Sequence, residues 1–495
     1  MTVGGRDCIA VFDAGTTAVK VCLFAPDASL LACSVQEYSL DTRGACVEAP
    51  AERYLAAVRD GLADVAGRVP DARIAAVGLT TQGETLVPVD RAGEPLRPFL
   101  VWLDGRAEDE AAALRGSFSA QDFYEATGLP EATGALPLAK LMWLRRNEPD
   151  VFSRTYKFLL LEDYLIFALT GRFVSEPSVQ TSTGWFHLGK DGAWDDALRA
   201  AGIPAQLLPD VLECGQTAGT VTDEAARRFG LPAGIPVLTG AMDQTAAALA
   251  AGCGDGVVTE TTGTALVAAA RTASPVFSRG HHVTIYRHVR RGEYLYLPIG
   301  STAGMALRWF RDEFCPDLPA GGAGYAALDR MAALSPPGSN GVLFLPYLSG
   351  CVDPDACEQA KAVFFGASLS TGRGDFARAV LESTAFVLAD FLDMLDALGC
   401  PCREVRSLGG GASSALWQQI KADVCGRSLT VPACREATAQ GAALLAAWGC
   451  GMLPEGEVPQ RPAAAVYAPE PGNKEAYRAA RERFSALYRA VRPLF

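Results

Sequence analysis

One pattern occurs twice in this chain, at positions separated by about half its length. Residues 9–23 have an apolar run, the polar turn Asp13-Ala-Gly-Thr-Thr, and a run that alternates apolar with polar residues. Residues 257–268 have an apolar start, the turn Thr261-Thr-Gly-Thr, and a second apolar run. Each copy predicts two strands joined by a tight turn. Two such hairpins predict a chain that folds as two related lobes.

Short apolar runs alternate with helical patterns through the rest of the sequence. Apolar spacing predicts an amphipathic helix over 51–66, a continuation of that pattern at 138–143, and a polar helix over 474–491. This alternation is typical of the α/β class. The strand candidates are 74–79, 158–161, 235–238, 342–345 and 405–408.

A glycine-rich break divides the sequence near its middle. The small-residue helix predicted at 245–251 ends at Gly252, and Gly254-Asp-Gly follows before the second hairpin. We therefore expect an N-terminal domain at 1–250 and a C-terminal domain at 251–495.

The charge balance excludes one large class of partner. The 495 residues include 44 Lys and Arg against 56 Asp and Glu, a net charge of −12, whereas nucleic-acid binding depends on clustered cations. The longest apolar runs are far shorter than the roughly 20 residues that span a bilayer, and the first residues do not resemble a signal peptide. We expect a cytoplasmic protein with no nucleic-acid or membrane partner, and its fourteen cysteines as reduced thiols.

The two polar turns have the chemistry of phosphate binding. Backbone N–H groups and hydroxyls in such turns can bind phosphate oxygens, and Asp13, at the end of a buried strand, can hold Mg²⁺. A single turn of this kind is equally compatible with an ordinary hairpin; the second copy favours two turns that bind successive phosphates of a nucleotide. The predicted phosphate contacts are Gly15, Thr16, Thr17, Thr262, Gly263 and Thr264.

A third glycine-rich turn supports the nucleotide interpretation. Gly409-Gly-Gly-Ala follows the strand predicted at 405–408 and precedes a helix predicted at 416–424. Glycines at a strand-to-helix turn let a ligand approach the backbone near a helix N-terminus, although the same turn can form without a ligand. Gly410, Gly411 and Ala412 are therefore predicted to contact the nucleotide. No dinucleotide-binding fingerprint follows the first strand.

Asp243 is the candidate general base, because it follows a buried strand and starts a helix. The alternative is a helix N-cap without chemistry. Two other segments combine hydroxyl-binding groups with an aromatic face, which suits a polyhydroxylated ligand; otherwise Trp102 would be a core residue and Asp104 with Arg106 a surface pair. The predicted substrate contacts are Gln82, Glu84, Trp102, Asp104, Arg106, Asp243 and Gln244.

Together these motifs resemble the FGGY family of carbohydrate kinases over essentially the whole chain. Two further segments are similar to family signatures: Pro137-x-x-Lys-Leu-x-Trp-Leu-x-Arg-Asn, and the stretch from Phe365-Gly to Arg378-Ala-Val-Leu-Glu. The resemblance implies a two-lobed ribonuclease H-like fold of the actin and hexokinase type, with ATP and Mg²⁺ in the interlobe cleft. By position it implies Asp243 as general base, Asp13 and Asp243 on the metal side, and Gln244 as a substrate contact.

The substrate is less closely defined by this resemblance. Gln82-Gly-Glu-Thr is similar to the Gln-Arg-Glu-Thr of glycerol kinases, but Gly83 replaces the arginine and Ala135 stands where those enzymes have a tyrosine. Both changes are expected to leave room in the pocket. We therefore expect a ketopentose such as xylulose, with a glycerol- or erythritol-type polyol as the alternative, and a homodimer. A hypothesis of another class is a non-catalytic nucleotide-dependent sugar sensor.

Overall fold

The structure is a computed structural model that describes residues 6–280, 282–353 and 355–495. The chain forms two compact units, neither of them continuous in sequence. The first contains the described residues up to Gly252 together with Phe277–Leu295 and Glu436–Gln460; the second contains Cys253–Val276, Tyr296–Arg435 and Arg461–Phe495. Two segments that follow residue 250 in sequence thus pack with elements of the first unit.

The first unit contains most of the strands. They are Arg6–Ala14, Ala18–Phe24, Leu30–Glu37, Asp41–Arg43, Cys46–Ala49, Ala72–Thr81, Leu86–Val89, Phe99–Leu100, Lys157–Leu160, Val174–Ser175, Phe186–His187, Gly192–Ala193, Asp210–Val211, Thr217–Thr220, Pro236–Leu238, Ala241–Met242 and Thr284–Arg287. Its α-helices are Ala51–Arg68, Glu108–Ser117, Ala120–Thr127, Pro137–Asn147, Pro149–Arg154, Leu161–Thr170, Pro177–Gln180, Asp195–Ala201, Asp223–Phe229, Asp243–Ala250 and Ala437–Gly449.

The second unit is smaller. Its strands are Val257–Thr262, Leu266–Thr272, Ile299–Gly300, Leu343–Leu345, Val363–Phe365, Glu404–Leu408, Ser428–Pro432 and Ala463–Tyr467, and Tyr294–Leu297 runs into it from the first unit. Its α-helices are Gly304–Phe314, Gly321–Ala332, Arg373–Ala397, Ala415–Cys425 and Lys474–Val491.

A seven-stranded mixed sheet organises the first unit. The Arg6–Ala14 strand lies near its centre, antiparallel to Ala18–Phe24 and parallel to Ala72–Thr81. Almost every residue of the central strand is buried, because apolar clusters cover both faces of the sheet. On one face, helices Asp243–Ala250 and Ala437–Gly449 pack so closely that a Cβ at Gly441 would lie 2.0 Å from the Ala246 carbonyl oxygen. The helix Ala437–Gly449 also packs against the central strand, whose last two residues are Asp13 and Ala14.

The second unit repeats this start with its own sheet. Val257–Thr262 is antiparallel to Leu266–Thr272 and parallel to Glu404–Leu408, which is in turn parallel to Ser428–Pro432. The largely buried helix Arg373–Ala397 lies along this unit. Both hairpins predicted from the repeated pattern are therefore confirmed, and so is the α/β class.

Most predicted elements agree with the structure to within a few residues. The helix predicted at 474–491 is Lys474–Val491, and the strand at 405–408 is Glu404–Leu408. The strand predicted at 158–161 ends one residue early, because a new helix begins at Leu161. Within the described residues, no helix combines the length and apolar character needed to cross a bilayer. Residues 1–5, part of the segment compared with a signal peptide, lie outside the described residues.

Candidate active site

Asp13 is the last residue but one of the central strand of the first unit and is almost completely buried. Burial raises the pKa of its carboxyl to about 7, while Lys20 lowers that pKa, and Asp243 and Glu436 raise it. Lys20 lies opposite Asp13 on the neighbouring strand, and its ammonium is 2.5 Å from the Glu436 carboxylate. The cation nearest to Asp13 is therefore shared with another acid. Such a site favours an additional positive charge.

The turn after Asp13 has backbone contacts that fix its shape. Gly15 N–H donates to the Ala18 carbonyl at 3.0 Å, Tyr38 N–H donates to the Thr17 carbonyl at 2.9 Å, and the Tyr38 hydroxyl donates to the Gly15 carbonyl. The Thr17 side chain is exposed. In the first predicted phosphate turn, the Gly15 and Thr17 carbonyls and the Gly15 N–H are thus already hydrogen-bonded within the protein.

Asp243 is the first residue of its helix, and Met242 is the cap residue. The Asp243 side chain is therefore not an N-cap, and among the described residues Oδ1 accepts only the adjacent Gln244 N–H, at 2.6 Å. Burial raises the pKa of Asp243 to about 6, and the Gln244 N–H opposes that rise. The carboxylate is ionised at neutral pH but binds a proton more readily than an exposed aspartate. Gln244 itself is half-buried beside it.

Glu84 joins this acidic cluster together with two residues that the sequence did not identify as site residues. Burial raises the pKa of Glu84 to about 7, Lys140 lowers it, Asp243 raises it, and a hydrogen bond from the Tyr286 hydroxyl lowers it. Lys140 is fully buried, and its ammonium donates to the Val101 carbonyl at 2.8 Å and more weakly to the Glu84 carbonyl at 3.3 Å. Burial lowers its pKa to about 8.

These two residues escaped the sequence analysis for different reasons. Lys140 belongs to a segment similar to a family signature, but nothing in that segment alone indicates contact with the site. Tyr286 lies in Phe277–Leu295, a segment of the first unit that follows residue 250 in sequence. The alternation of apolar residues around it would have indicated a strand, but nothing local indicates which unit that strand joins.

Gln82 lies beside this cluster and is buried. Among the described residues, neither polar atom of its amide has a partner that meets hydrogen-bond geometry. The amide lies near the Tyr54 hydroxyl and lowers the pKa of that group. The expectation that Gly83 leaves room in the pocket is wrong at that position. A Cβ there would lie 2.8 Å from Ser182 Oγ and 3.3 Å from Met242 Sδ, so these two side chains already fill the space.

The structure reverses both non-functional interpretations of the Trp102 segment. Trp102 is 38% exposed rather than a core residue, and its indole N–H donates to Thr16 Oγ1 at 2.9 Å. Asp104 is fully buried rather than on the surface, and it accepts the Val47 N–H at 2.6 Å. Arg106 pairs with Asp104 at 2.7 Å.

Arg106 is held by two further groups. It reaches the Glu48 carboxylate at 2.6 Å and lies 5.0 Å from the Trp143 ring centroid. Asp104 and Arg106 therefore brace the Trp102 loop, while the Trp102 ring remains accessible. Their direct contact with substrate stays a prediction.

The second unit has its own cavity of about 460 Å³. It brings together the second phosphate turn and the third glycine-rich turn, which are separated by more than 140 residues in sequence. Ala412 belongs to the same short 3₁₀ turn, Gly410–Ser413, without lining the cavity. The lining includes Thr262, Gly263, Thr264, Gly410, Gly411, Arg308, Tyr325, Asp329 and Trp417.

Thr262 differs from its neighbours in this turn, because its side chain points into the protein. Its hydroxyl donates to Glu260 at 2.7 Å and accepts the Lys421 ammonium at 2.6 Å. Lys421 also pairs with Glu260 at 2.7 Å, and both are fully buried. The hydroxyl of Thr262 is therefore engaged inside the protein, whereas Gly263 and Thr264 are exposed. Residues 260 and 262 share one face of the strand, which explains the difference.

Comparison with known proteins agrees with the resemblance found in the sequence. The model of the FGGY family of carbohydrate kinases, N-terminal domain, matches residues 8–250, and that of the C-terminal domain matches residues 257–450. Xylulose kinase of Escherichia coli (strain K12) is 29% identical, over 97% of this chain and 99% of that protein. Autoinducer-2 kinase of Salmonella choleraesuis (strain SC-B67) is 30% identical, over 86% of this chain and 82% of that protein.

Solved structures give the same result for the fold. The crystal structure of xylulose kinase from Rhodospirillum rubrum matches with a TM-score of 0.89 and 30% identity, over 98% of this chain and 99% of that one. The predicted actin- and hexokinase-type fold is therefore confirmed. Because the two family models together match most of the chain, this protein belongs to the FGGY family of carbohydrate kinases and is a phosphotransferase.

Proposed function

We propose that this kinase phosphorylates a hydroxyl of a sugar or polyol at the expense of ATP, with Asp243 as the general base. The observation that carries the proposal is the state of the Asp243 carboxylate. Its one hydrogen bond within the described residues is to the adjacent Gln244 N–H, and burial raises its pKa to about 6. A base poised just below neutral pH is ionised and still accepts a proton well.

The proposed reaction follows from that placement. The substrate O–H gives its proton to the Asp243 carboxylate while its oxygen forms a bond to the γ-phosphorus of ATP. The bond between that phosphorus and the bridging oxygen breaks, and ADP leaves. We assign the phosphates to the turn Gly15-Thr16-Thr17 in the first unit and to Gly263 and Thr264 in the second, where the Thr17 and Thr264 side chains are exposed. The N–H groups of Gly15 and Gly263 already pair within their own hairpins, so the glycines serve to shape the turns. Gly410, Gly411 and Ala412 are assigned to the adenosine end.

Asp13 and Asp243 are the residues that would hold Mg²⁺. The Asp243 carboxylate raises the pKa of Asp13, and the Lys20 ammonium, which lowers that pKa, is already paired with Glu436. One or two carboxylates with substrate phosphates are the usual protein ligands of this ion. When bound, Mg²⁺ supplies positive charge to the phosphates. The oxygen donors present fit that role.

For the substrate we propose a ketopentose such as xylulose, with a glycerol- or erythritol-type polyol as the alternative. Support comes from the relatives named xylulose kinase and from Gly83, which replaces the arginine of the similar glycerol kinase segment. Ser182 and Met242 pack against this position. An arginine at that position would have to displace both side chains. Gln82, Glu84 and Trp102 are the proposed contacts to substrate hydroxyls, with Gln244 next to the base.

A coupled ADP assay over xylulose, ribulose, glycerol and erythritol tests this choice. We expect the highest kcat/KM with xylulose. A clear preference for glycerol or erythritol would replace the proposed substrate. ADP production that does not depend on any added sugar would count against sugar phosphorylation and favour the sensor hypothesis.

The Asp243→Asn variant tests the base. It keeps the shape of the side chain and removes the proton acceptor, so we expect kcat to fall by about 10²–10⁴-fold. Nucleotide affinity without Mg²⁺, measured by calorimetry, is the control and should change little, because the proposed metal contact of Asp243 does not contribute to it. Sugar phosphorylation at the parental rate would mean that another group is the base.

A further inference from the structure

The three residues that precede Asp243 are each held by a buried side chain of the first unit. Gly240 N–H donates to Glu162 Oε1 at 2.8 Å, and Met242 N–H donates to Ser178 Oγ at 2.9 Å. Between them, the Ala241 carbonyl accepts the Thr80 hydroxyl at 2.8 Å. The strand Ala241–Met242 has only two residues. Side chains therefore provide much of the support that a longer strand would obtain from its ladder.

Glu162 is fully buried in the first turn of helix Leu161–Thr170. Burial raises the pKa of its carboxyl well above the ordinary value, and the neighbouring Glu176 raises it further. Its second oxygen, Oε2, has no hydrogen-bond partner among the described residues. An ionised carboxylate with one bare oxygen in such a site is costly, so the neutral acid is favoured. A neutral group that accepts one N–H is sufficient for the contact with Gly240.

Ser178 is oriented by Glu176 in the same region. Its hydroxyl donates to Glu176 Oε1 at 2.8 Å, which uses its one proton and leaves the oxygen lone pairs for Met242 N–H. Glu176 also accepts the N–H of Ser178 at 2.5 Å and of Val179 at 2.7 Å. Ser178 therefore presents an acceptor in a fixed direction.

Close packing against the neighbouring strand also limits movement of the Gly240–Met242 backbone. A Cβ at Gly240 would lie 1.6 Å from the Leu79 carbonyl oxygen. The backbone at Gly240 therefore lies directly against the strand Ala72–Thr81, and Glu162, from the helix Leu161–Thr170, holds it there by a hydrogen bond. A small displacement at this point would be passed along the chain to Asp243, three residues later.

We propose that Glu162 and Ser178 are positioning residues that fix the Gly240–Met242 backbone and thereby aim the Asp243 carboxylate at the substrate hydroxyl. The proposal rests on the proposed role of Asp243 as general base. Misplacement of a catalytic group by about 1 Å can cost about 10²-fold in rate. Loss of either side chain should therefore lower kcat while leaving substrate affinity nearly unchanged.

The neighbouring Asp163 offers a matched control for Glu162. It is also fully buried, burial also raises its pKa, and it also accepts a backbone N–H at 2.8 Å, but that N–H belongs to Leu160. Asp163→Ala should therefore lose stability much as Glu162→Ala does, without disturbing the loop before Asp243. The pair separates a positioning effect from general destabilisation.

The experiment compares kcat and KM for Glu162→Ala, Glu162→Gln, Asp163→Ala and Ser178→Ala, with melting temperatures for each. We expect Glu162→Ala and Ser178→Ala to lower kcat by about 10–100-fold with KM values for sugar and ATP within about twofold of the parent. Glu162→Gln keeps an oxygen acceptor for Gly240 N–H and should retain the parental kcat. Asp163→Ala should also retain it.

The outcomes distinguish this proposal from the assignment of the base. Parental kcat in both Glu162→Ala and Ser178→Ala, with an inactive Asp243→Asn, would overturn positioning and leave the base in place. Equal losses of kcat in Asp163→Ala would also overturn it. If Glu162→Ala does not fold, Ser178→Ala alone still decides. An Asp243→Asn enzyme at the parental rate would instead overturn the base.

Discussion

The two units differ in the side chains that form their candidate sites. In the first, Asp13, Glu84, Lys140 and Asp243 carry pKa values shifted by burial and stand around one region. In the second, glycines, hydroxyls and aromatic rings dominate the described lining of the cavity. One of its buried ion pairs, Lys421 with Glu260, lies behind the turn and is satisfied internally. The first arrangement suits proton transfer; the second suits recognition of a ligand by shape and backbone contacts.

The difference shows that a repeated hairpin does not repeat a function. Both hairpins have a Gly/Thr turn, but Asp13, near the end of the first strand, stays available in the site, whereas Glu260, near the end of Val257–Thr262, is paired with Lys421. The same local backbone therefore supports chemistry in one unit and binding in the other.

The largest effect is expected from Lys421→Met in the second unit. It leaves Glu260 buried without its cation, so the free energy of unfolding should fall by about 3–5 kcal/mol. Urea unfolding followed by circular dichroism measures this loss. Lys20→Met is the matched change in the first unit, where the pair with Glu436 is partly exposed and should contribute only about 1 kcal/mol or less. Equal losses in the two variants would break the comparison between an internally neutralised pair and an accessible one.

The next effect is the response of the first unit to pH. The pKa of Asp243 is raised to about 6 and that of Glu84 to about 7, so both carboxyls gain protons as the pH falls through this range. A protonated Asp243 cannot accept the substrate proton, and kcat/KM should fall about tenfold per pH unit below about 6. The measurement is kcat/KM for sugar from pH 8 to pH 4.5.

Unfolding would not explain such a fall. Asp13 and Asp163 have folded-state pKa values raised to about 7 and about 8 from an ordinary value of 3.8. Groups raised in this way add stability below their unfolded pKa and lose it as the pH rises through the folded value. Circular dichroism should therefore show an intact fold through the acidic limb. A flat kcat/KM down to pH 4.5 would contradict Asp243 as base.

Local sequence signals predicted the parts of the site that are built from neighbours in the chain. The turn after Asp13, the turn around Gly263 and the Gly410–Ala412 turn each combine a strand with adjacent glycines and hydroxyls. The inward direction of Thr262 also follows from the two-residue period of a strand. The fold class, both hairpins and the family were accessible for the same reason.

Contacts between distant segments were not accessible in this way. Tyr286 reaches Glu84 from a segment about 200 residues later, and Ser182 fills the space at Gly83 from about 100 residues away. Glu162 and Ser178 likewise hold residues 240 and 242 from helices that lie more than 60 residues earlier in the chain. Packing decides these contacts, and no short motif records them. For the same reason the sequence suggested room at Gly83 that the packed chain does not have.

The smallest effect is expected from Gly411→Ala in the second unit. A Cβ at this position would lie 2.6 Å from Thr262 Cγ2, so the second phosphate turn must shift. We expect KM for ATP to rise about tenfold, equivalent to about 1.4 kcal/mol, with kcat nearly unchanged because the charged groups of the first unit are untouched. Steady-state kinetics with varied ATP measures this.

Gly410→Ala is the matched control, because a Cβ there meets no protein atom within 4 Å. It should leave the turn in place and change KM for ATP less than Gly411→Ala does. If both variants raise KM equally, close approach of the nucleotide to the glycines controls affinity rather than their packing on Thr262. If Gly411→Ala lowers kcat instead of affinity, the division between chemistry in the first unit and recognition in the second does not hold, since a change confined to the glycine turn would then affect the transfer step itself.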